Sequence, residues 1–135
     1  MTGTRVLVVE DESLLAETLC DLIQDGGCEP IGPAATVAAA LRLIEAGGID
    51  VALLDVQLKR ETSFPIAHAL RQRGIPFLFL TSYQQHQLPE DLGAPLLVEK
   101  PFSPSALIEI VRHVARGGPA RETTGTGRRS VASRT

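Results

Sequence analysis

Short apolar runs alternate with segments of helical periodicity along the first 116 residues of this chain. The apolar runs lie at 6–9, 49–54, 77–80 and 94–98, and a weaker strand is predicted at 29–32. Helices are predicted at 14–23, 36–46, 66–70 and 104–114, with at most a short helix at 83–92. Strands this apolar are typical of a sheet that is buried on both faces. The pattern therefore predicts an α/β fold, a doubly wound parallel sheet of five strands with helices on both faces.

Glycines, prolines and capping residues mark the ends of these elements. Gly26, Gly47 and Gly74 each follow a helical segment, and Thr36 and Ser103 stand where a capping side chain is expected. Prolines flank the second strand, which suits the edge of a sheet. The segment between the fourth and fifth strands is polar and contains a proline, so the fourth helix is expected to be reduced.

The composition is that of a globular domain in water. The 135 residues are 44% hydrophobic and 21% charged, which is enough apolar surface for one core. Two cysteines and three scattered histidines make neither a disulfide framework nor a zinc site. No apolar run approaches the length of a bilayer span, and no export signal opens the chain. We therefore expect a cytoplasmic protein that contacts no membrane.

Charge divides the chain into two parts. Residues 117–135 contain four arginines and one glutamate, a local charge of +3, which leaves residues 1–116 at −6. The 117–135 segment has a single large apolar residue, too little to offset the entropy of ordering it. We expect residues 1–116 to form one domain and 117–135 a flexible tail. Its arginines are sparse and lack interleaved aromatic residues, so no nucleic-acid partner is expected.

Polar residues follow the apolar strands. Glu10 and Asp11 come after the first strand, Asp55 after the third, Thr81 after the fourth and Lys100 after the fifth. In an open parallel sheet, ligands bind at the carboxyl ends of the strands, where the strand order reverses. If the order is the common 2-1-3-4-5, the first and third strands are neighbours. Their three acidic side chains would then meet, flanked by the threonine and the lysine.

Three carboxylates in one crevice repel each other unless a cation lies between them. Oxygen ligands without histidine or cysteine favour Mg²⁺, and Lys100 offsets one negative charge. Such a site suits a phosphoryl group, because the cations neutralise its oxygens, Thr81 donates a hydrogen bond and a carboxylate can attack phosphorus. Asp55 stands alone at the end of a central strand and is the best candidate nucleophile.

Each of these residues also has an ordinary structural interpretation. The acidic pair after the first strand could favour a helix start, Asp55 or Thr81 could occupy a turn or cap, and Lys100 could be a solvated charge. Five such coincidences at the ends of four strands are less probable than one shared site.

Four stretches together resemble the receiver domain of two-component response regulators. They are Val-Leu-Val-Val-Glu-Asp-Glu at 6–12, Ala-Leu-Leu-Asp at 52–55, Leu-Thr-Ser at 80–82 and Glu-Lys-Pro-Phe at 99–102. The resemblance covers about 4–116 and implies a flavodoxin-like (βα)5 fold with strand order 2-1-3-4-5. It also implies signalling with a histidine kinase or histidine phosphotransferase as the partner and Mg²⁺ as the cofactor.

The resemblance implies roles for single residues as well. Asp55 would be the phosphoacceptor, and Lys100 and Thr81 would bind the phosphoryl group. The Lys100–Pro101 peptide bond would be cis. The ligands of Mg²⁺ would be Glu10, Asp11, Asp55 and the backbone carbonyl of Gln57.

Three features depart from the usual receiver sequence. Leu97 stands three residues before the lysine, where most receivers carry an aromatic residue that couples phosphorylation to the output face. We hypothesise that Tyr83, in the loop after Thr81, contributes to this switch instead. Residues 79–83 resemble the Phe-Ala-Thr-Gly-Tyr motif of a group of single-domain regulators, with leucine and serine in place of alanine and glycine. At 58–60 a Leu-Lys-Arg sequence replaces the usual Met-Pro turn and makes the loop more basic.

The leading hypothesis is a single-domain response regulator, a phosphorylatable switch or phosphorelay intermediate without a DNA-binding output. It would be a monomer or a weak phosphorylation-dependent dimer, and would catalyse only its own phosphorylation and dephosphorylation. The alternative is a receiver-like adaptor that docks on a kinase without being phosphorylated. An aspartyl-phosphate phosphatase ranks lower because it needs a second aspartate where Gln57 stands. A flavodoxin also ranks lower, since no Ser/Thr- and Gly-rich phosphate loop follows the first strand.

Overall fold

The computed structural model describes residues 3–81, 92, 96–100 and 102–116. Strands and helices alternate from the start of the described chain to the fourth strand. The strands are β1 Arg5–Val9, β2 Glu29–Ala34, β3 Val51–Asp55, β4 Phe77–Thr81 and β5 Leu96–Glu99. The helices are α1 Ser13–Asp25, α2 Val37–Ala46, α3 Phe64–Gln72 and α4 Pro104–Ala115.

The five strands pair in parallel in one sheet with the order β2-β1-β3-β4-β5. This is the predicted order, and the second strand lies at the sheet edge as expected. It extends to Ala34, two residues beyond the predicted end, and therefore contains Pro30 and Pro33. Because the strands run in the same direction, their carboxyl ends share one edge of the sheet. Val9 pairs with Leu54, and Asp55 pairs with Leu80. The polar residues at the ends of β1, β3 and β4 therefore lie side by side.

Alternate residues along the strands contribute to two hydrophobic clusters, one on each face of the sheet. Leu53 of β3 belongs to a cluster with Leu19 of α1 and Val111 of α4. Leu54, the next residue along the same strand, belongs to the other cluster with Ile44 of α2 and residues of α3. The period-2 alternation of side chains along a strand explains this division. Both faces of the sheet are covered, as the continuous apolar runs predict.

Two helix starts form as the sequence predicts. The Thr36 side chain accepts a hydrogen bond from the Ala39 backbone N–H at the start of α2, over 3.1 Å. The Ser103 side chain accepts one from the Ala106 N–H at the start of α4, over 3.4 Å. Each bond satisfies a backbone donor that the helix itself leaves without a partner. Both capping predictions are confirmed.

Some predicted boundaries are wrong. β3 begins at Val51, two residues later than predicted, and the Asp50 side chain just before it accepts a hydrogen bond from the Arg5 backbone N–H over 2.8 Å. β5 extends to Glu99. The reduced helix predicted at 83–92 lies outside the described residues except for Leu92, which is buried. The 117–135 tail and the Lys100–Pro101 bond also lie outside them. Among the described residues the cis peptide bond joins Gly32 to Pro33.

Phe79 provides a test of the core. Its ring is fully buried, with its centroid 6.1 Å from that of Phe64 and 5.6 Å from that of Phe77, both edge to face. Phe79→Ala should lower the free energy of unfolding in urea by about 3–5 kcal/mol, because a buried aromatic side chain is replaced by a cavity. Leu14→Ala is the control, since Leu14 is 71% exposed and its truncation should cost no more than about 0.5 kcal/mol. Equal losses in the two variants would contradict the packing described.

Candidate phosphoryl-transfer site

The carboxyl ends of four strands bring the predicted polar residues to one edge of the sheet. Glu10 follows β1, Asp55 is the last residue of β3, Thr81 is the last residue of β4, and Lys100 follows β5. A backbone hydrogen bond of 2.7 Å from the Lys100 N–H to the Thr81 carbonyl oxygen continues the β4–β5 ladder beyond the strand. The sheet register thus fixes the backbone of each of these side chains.

Three carboxylates converge in the crevice between β1 and β3. Oxygen atoms of Glu10, Asp11 and Asp55 all lie within 4.8 Å of one another. Glu10 and Asp55 are buried and Asp11 is half-buried. The acidic side chains thus lie together where the strand order reverses, as the sequence predicts.

Lys100 is the cation of this cluster. Its Nζ atom lies 3.3 Å from Asp55 Oδ2 and 3.7 Å from Glu10 Oε1. The side chain is 18% exposed, so these interactions are only partly screened by water. One lysine faces three acidic groups, and the cluster therefore keeps an excess of negative charge.

Glu10 has the most perturbed environment among the acidic groups. One of its oxygens, Oε2, accepts a hydrogen bond from the Glu12 backbone N–H over 3.1 Å. The other, Oε1, is buried and makes no hydrogen bond. Burial raises the pKa of Glu10 from 4.5 to about 7, and the negative charge of Asp55 adds to this effect, against the backbone hydrogen bond and the positive charge of Lys100. The site therefore favours a proton or another cation next to Glu10.

The cluster has the donor chemistry of a divalent-cation site. Its potential ligands are carboxylate oxygens close enough to share one ion. Glu10 Oε1 lies 3.7 Å from Lys100 Nζ but makes no hydrogen bond. A hard cation such as Mg²⁺ prefers oxygen ligands and tolerates one or two carboxylates with water in the remaining positions. The residues present fit Mg²⁺.

Gln57 lies beside the nucleophile candidate. Its backbone N–H points to Asp55 Oδ1 over 3.4 Å. Its side-chain amide donates to the backbone carbonyls of Leu58 and Glu61, over 2.8 and 3.2 Å. The side chain is thus engaged within its own loop. The backbone, the part of Gln57 expected at the metal, is next to Asp55.

The predicted switch residues are only partly described. Thr81 is buried, with a relative exposure of 2%. Leu97, on β5, is 38% exposed and so has the freedom of a surface side chain. Tyr83 lies outside the described residues, as does Ser82, the preceding residue of the segment that resembles the Phe-Ala-Thr-Gly-Tyr motif. The switch assignment therefore stays a prediction.

Sequence reasoning missed one contact close to the site. The Glu61 side chain, six residues after Asp55, accepts a hydrogen bond from the Val37 backbone N–H at the start of α2, over 2.9 Å. The two residues are 24 apart in sequence, and neither periodicity nor spacing marks them as partners. The hydrogen bond becomes apparent only in the folded structure, where Glu61 lies opposite the amino terminus of α2.

Comparison with known proteins agrees with this geometry. A family model of the response regulator receiver domain matches residues 6–112. The chain belongs to this family. The predicted receiver resemblance and the flavodoxin-like sheet order are both confirmed. Receiver domains in general bind Mg²⁺ and interact with histidine kinases or phosphotransferases, and such a domain is a signalling module of two-component systems.

Individual relatives place the chain within the family. It is 33% identical over 111 residues to the transcriptional regulatory protein PdtaR of Mycobacterium tuberculosis, covering 79% of this chain and 54% of PdtaR. SdrG of Sphingomonas melonis is 36% identical, with a TM-score of 0.71 and coverage of 84% of this chain and 97% of that one. TrrA of Thermotoga maritima is 26% identical, with a TM-score of 0.72 and coverage of 82% and 98%. The chain spans about half the length of the curated relatives it matches.

Among the described residues, none of the helices combines the length and the apolar character needed to cross a bilayer.

Glu10 makes the stability of the metal-free protein depend on pH. Between pH 4.5 and about 7 the folded state holds the Glu10 proton more tightly than the unfolded chain does, so the free energy of unfolding should fall as pH rises through this range. Glu10→Gln mimics the protonated acid and should remove up to about 3 kcal/mol of that fall. Urea unfolding at pH 5 and pH 8 without divalent cations measures it.

The matched control is Glu17→Gln on the exposed face of α1, which should keep the wild-type pH dependence. An identical slope for wild type and Glu10→Gln would show that Glu10 is not held protonated in the fold.

Proposed function

We propose that Asp55 accepts a phosphoryl group in a Mg²⁺-dependent reaction, with a phosphohistidine of a kinase or phosphotransferase as the donor. The observation that carries this proposal is the cluster of three carboxylates within 4.8 Å, with Lys100 Nζ 3.3 Å from Asp55 Oδ2. An ion pair with a purely structural role needs only one acidic group for Lys100, whereas three lie near it among the described residues. An excess of acidic groups around one largely buried aspartate supports a site for a divalent cation, which phosphoryl transfer uses to neutralise charge.

Asp55 is placed to act as the nucleophile. Its side chain is 12% exposed, so the carboxylate is oriented by its surroundings and still reaches the solvent side of the crevice. A carboxylate oxygen forms the new bond to phosphorus while the bond from phosphorus to the donor nitrogen breaks. The donor histidine leaves with that electron pair. A carboxylate nucleophile needs no general base, because it has no proton to lose in this step.

Mg²⁺ would be held by Glu10, Asp11, Asp55 and the backbone carbonyl of Gln57. When bound, the ion neutralises negative charge on the phosphoryl oxygens and on the clustered carboxylates. The chain itself supplies the remaining functions. Glu10 and Asp11 orient the cation from β1, and the Gln57 backbone lies against the nucleophile.

Lys100 and Thr81 are proposed to bind the transferred group. Lys100 contacts the Asp55 carboxylate before transfer. After transfer, its ammonium group can form an ion pair with a phosphoryl oxygen instead. Thr81 is bonded through its backbone carbonyl to the Lys100 N–H, so movement of either residue reaches the other. We propose that Tyr83 and Leu97 respond to this movement in place of the usual aromatic switch.

We further propose that residues 1–116 act as the signalling unit, with 117–135 as a flexible appendage. The phosphorylated domain would act by binding a protein partner or by passing the phosphoryl group on, as a monomer or a weak dimer in the cytoplasm. Two solved relatives support the phosphorylation chemistry. The TrrA structure is a complex with Mg²⁺-BeF, and a solved form of SdrG is described as a BeF3-activated conformation.

Labelling tests the central assignment. Incubation with Mg²⁺ and acetyl phosphate should add one phosphoryl group in an acid-stable, base-labile adduct, detected by intact mass. Asp55→Asn should abolish the adduct, because the amide is not a nucleophile at phosphorus. Asp25→Asn, an exposed aspartate at the end of α1, should label as wild type does.

Failure of the wild type to label, where a control receiver does, would favour the adaptor that docks on a kinase without phosphorylation. Labelling that persists in Asp55→Asn would assign the phosphoacceptor elsewhere.

Mg²⁺ should stabilise the folded protein through the carboxylate cluster. At a concentration of ten times the dissociation constant, the ion adds about 1.4 kcal/mol to the free energy of unfolding, which thermal denaturation detects as a higher Tm. Asp11→Asn should remove most of this shift, since it deletes a proposed ligand. The neighbouring Glu12→Gln is the control, because Glu12 is exposed and lies outside the carboxylate cluster. An undiminished shift in Asp11→Asn would exclude Asp11 as a ligand.

A further inference from the structure

The loop at 56–63, which follows Asp55, is closed on itself. Gln57 and Thr62 form an antiparallel bridge, and the Leu58 N–H donates to the Glu61 carbonyl over 2.8 Å. The Ser63 backbone N–H and hydroxyl both donate to the Val56 carbonyl, over 3.0 and 3.3 Å. These bonds make the loop a short, fixed hairpin rather than an open connection.

The hairpin is also anchored to the rest of the fold. Val56 and Leu58 are buried in the hydrophobic cluster that includes residues of α2 and α3. The Val56 N–H bonds to the Leu80 carbonyl of β4 over 3.2 Å, and the Glu61 carboxylate accepts the Val37 N–H of α2. These contacts fix the backbone position of Lys59 and Arg60 relative to Asp55.

Two cations occupy this position. Lys59 and Arg60 are exposed, and within the described part of the chain neither side chain has an ion pair or hydrogen bond. Lys59 is two residues from Gln57, so their Cα atoms are at most about 7 Å apart, and the Gln57 N–H points to Asp55 over 3.4 Å. The Glu61 carboxylate is directed to the positive end of α2, and it forms no ion pair with the neighbouring lysine or arginine.

The site itself has no net positive charge to attract an anion. Its three carboxylates are balanced by one divalent cation and Lys100. A doubly negative phosphodonor therefore gains little long-range attraction from the phosphoacceptor crevice, within a region whose net charge is −6. Lys59 is four residues from Asp55, so their Cα atoms are at most about 14 Å apart. This is less than two Debye lengths at physiological salt, and screening weakens at lower ionic strength.

We propose that Lys59 and Arg60 form a fixed cationic element that attracts doubly negative phosphodonors to Asp55, and so help to select the donor. The inference rests on the proposed phosphorylation of Asp55. The element does not touch the reacting atoms. It raises the local concentration of the anion, an effect that scales with the charge of the donor and is weakened by salt.

The test compares two small donors that differ in charge. With saturating Mg²⁺ at low ionic strength, Lys59→Gln/Arg60→Gln should be labelled by acetyl phosphate, a doubly negative donor, roughly 3–10-fold more slowly than wild type. With phosphoramidate, a singly negative donor, the loss should be about the square root of that factor, because the interaction energy is proportional to donor charge. Both losses should largely disappear at about 1 M salt. Arg71→Gln, an exposed arginine at the end of α3, is the matched control and should behave as wild type.

Mg²⁺ binding supplies a readout that a structural defect would not mimic. Removing two nearby cations should tighten Mg²⁺ binding, measured by calorimetry at low salt, while phosphorylation by the dianion slows. A damaged hairpin would weaken both. Glu61→Ala and Glu61→Gln both remove one negative charge, but only the amide oxygen introduced by Glu61→Gln would keep an acceptor for the Val37 N–H. Labelling by acetyl phosphate should therefore be slower in Glu61→Ala, where the two cations are less fixed, than in Glu61→Gln.

Each outcome is decisive. Slower acetyl phosphate labelling with the expected donor and salt dependence, and tighter Mg²⁺ binding, supports the proposal. Equal labelling rates for Lys59→Gln/Arg60→Gln and wild type overturn it and leave the proposed function intact, as does an equal loss with both donors that salt does not relieve. Wild-type protein that labels with neither donor overturns the proposed function and this inference with it.

Discussion

The mutual repulsion of three carboxylates, held together by the backbone of a parallel sheet, is the constraint on which the site depends. Glu10 and Asp11 follow β1 and Asp55 ends β3, and the register of these two strands is set by hydrogen bonds between residues buried on both faces. Side chains on a flexible loop would move apart to relieve the repulsion. Here the hydrophobic clusters on either side of the sheet hold the strand ends together, and Lys100 offsets part of the electrostatic cost locally.

Hydrogen bonds hold the groups on both sides of the crevice. Asp55 lies between two fixed groups, the Lys100 ammonium and the Gln57 backbone. The 56–63 hairpin is closed by its own hydrogen bonds and anchored to β4 and α2. The Lys100 backbone is joined to the end of β4. A change of charge at Asp55 thus acts directly on groups that lead to two different parts of the fold, α2 on one side and β5 on the other.

Much of the fold and the composition of the site could be predicted from the sequence, because both follow from local patterns. The apolar runs gave the strands, and the strand-end positions of Asp55, Thr81 and Lys100 follow once parallel order is assumed. The strand limits near Asp50 and Glu99 could not be predicted, because a polar residue at a strand end fits either state. The bond between Glu61 and Val37 also escaped prediction, since it depends on the separation of a hairpin and a helix start. The raised pKa of Glu10 required knowledge of its burial.

Strand β2 has a consequence for the behaviour of the protein at high concentration. The Glu29 N–H donates inward to the Thr4 carbonyl over 2.7 Å, and alternate residues of a strand present their backbone groups to opposite sides. Pro30, the next residue, therefore stands where a donor would otherwise face outward. An incoming strand from another molecule would find that position without an N–H, which discourages fibril-like stacking along this border of the sheet. The proline that suggested an edge strand in the sequence also protects the assembled sheet from unwanted extension.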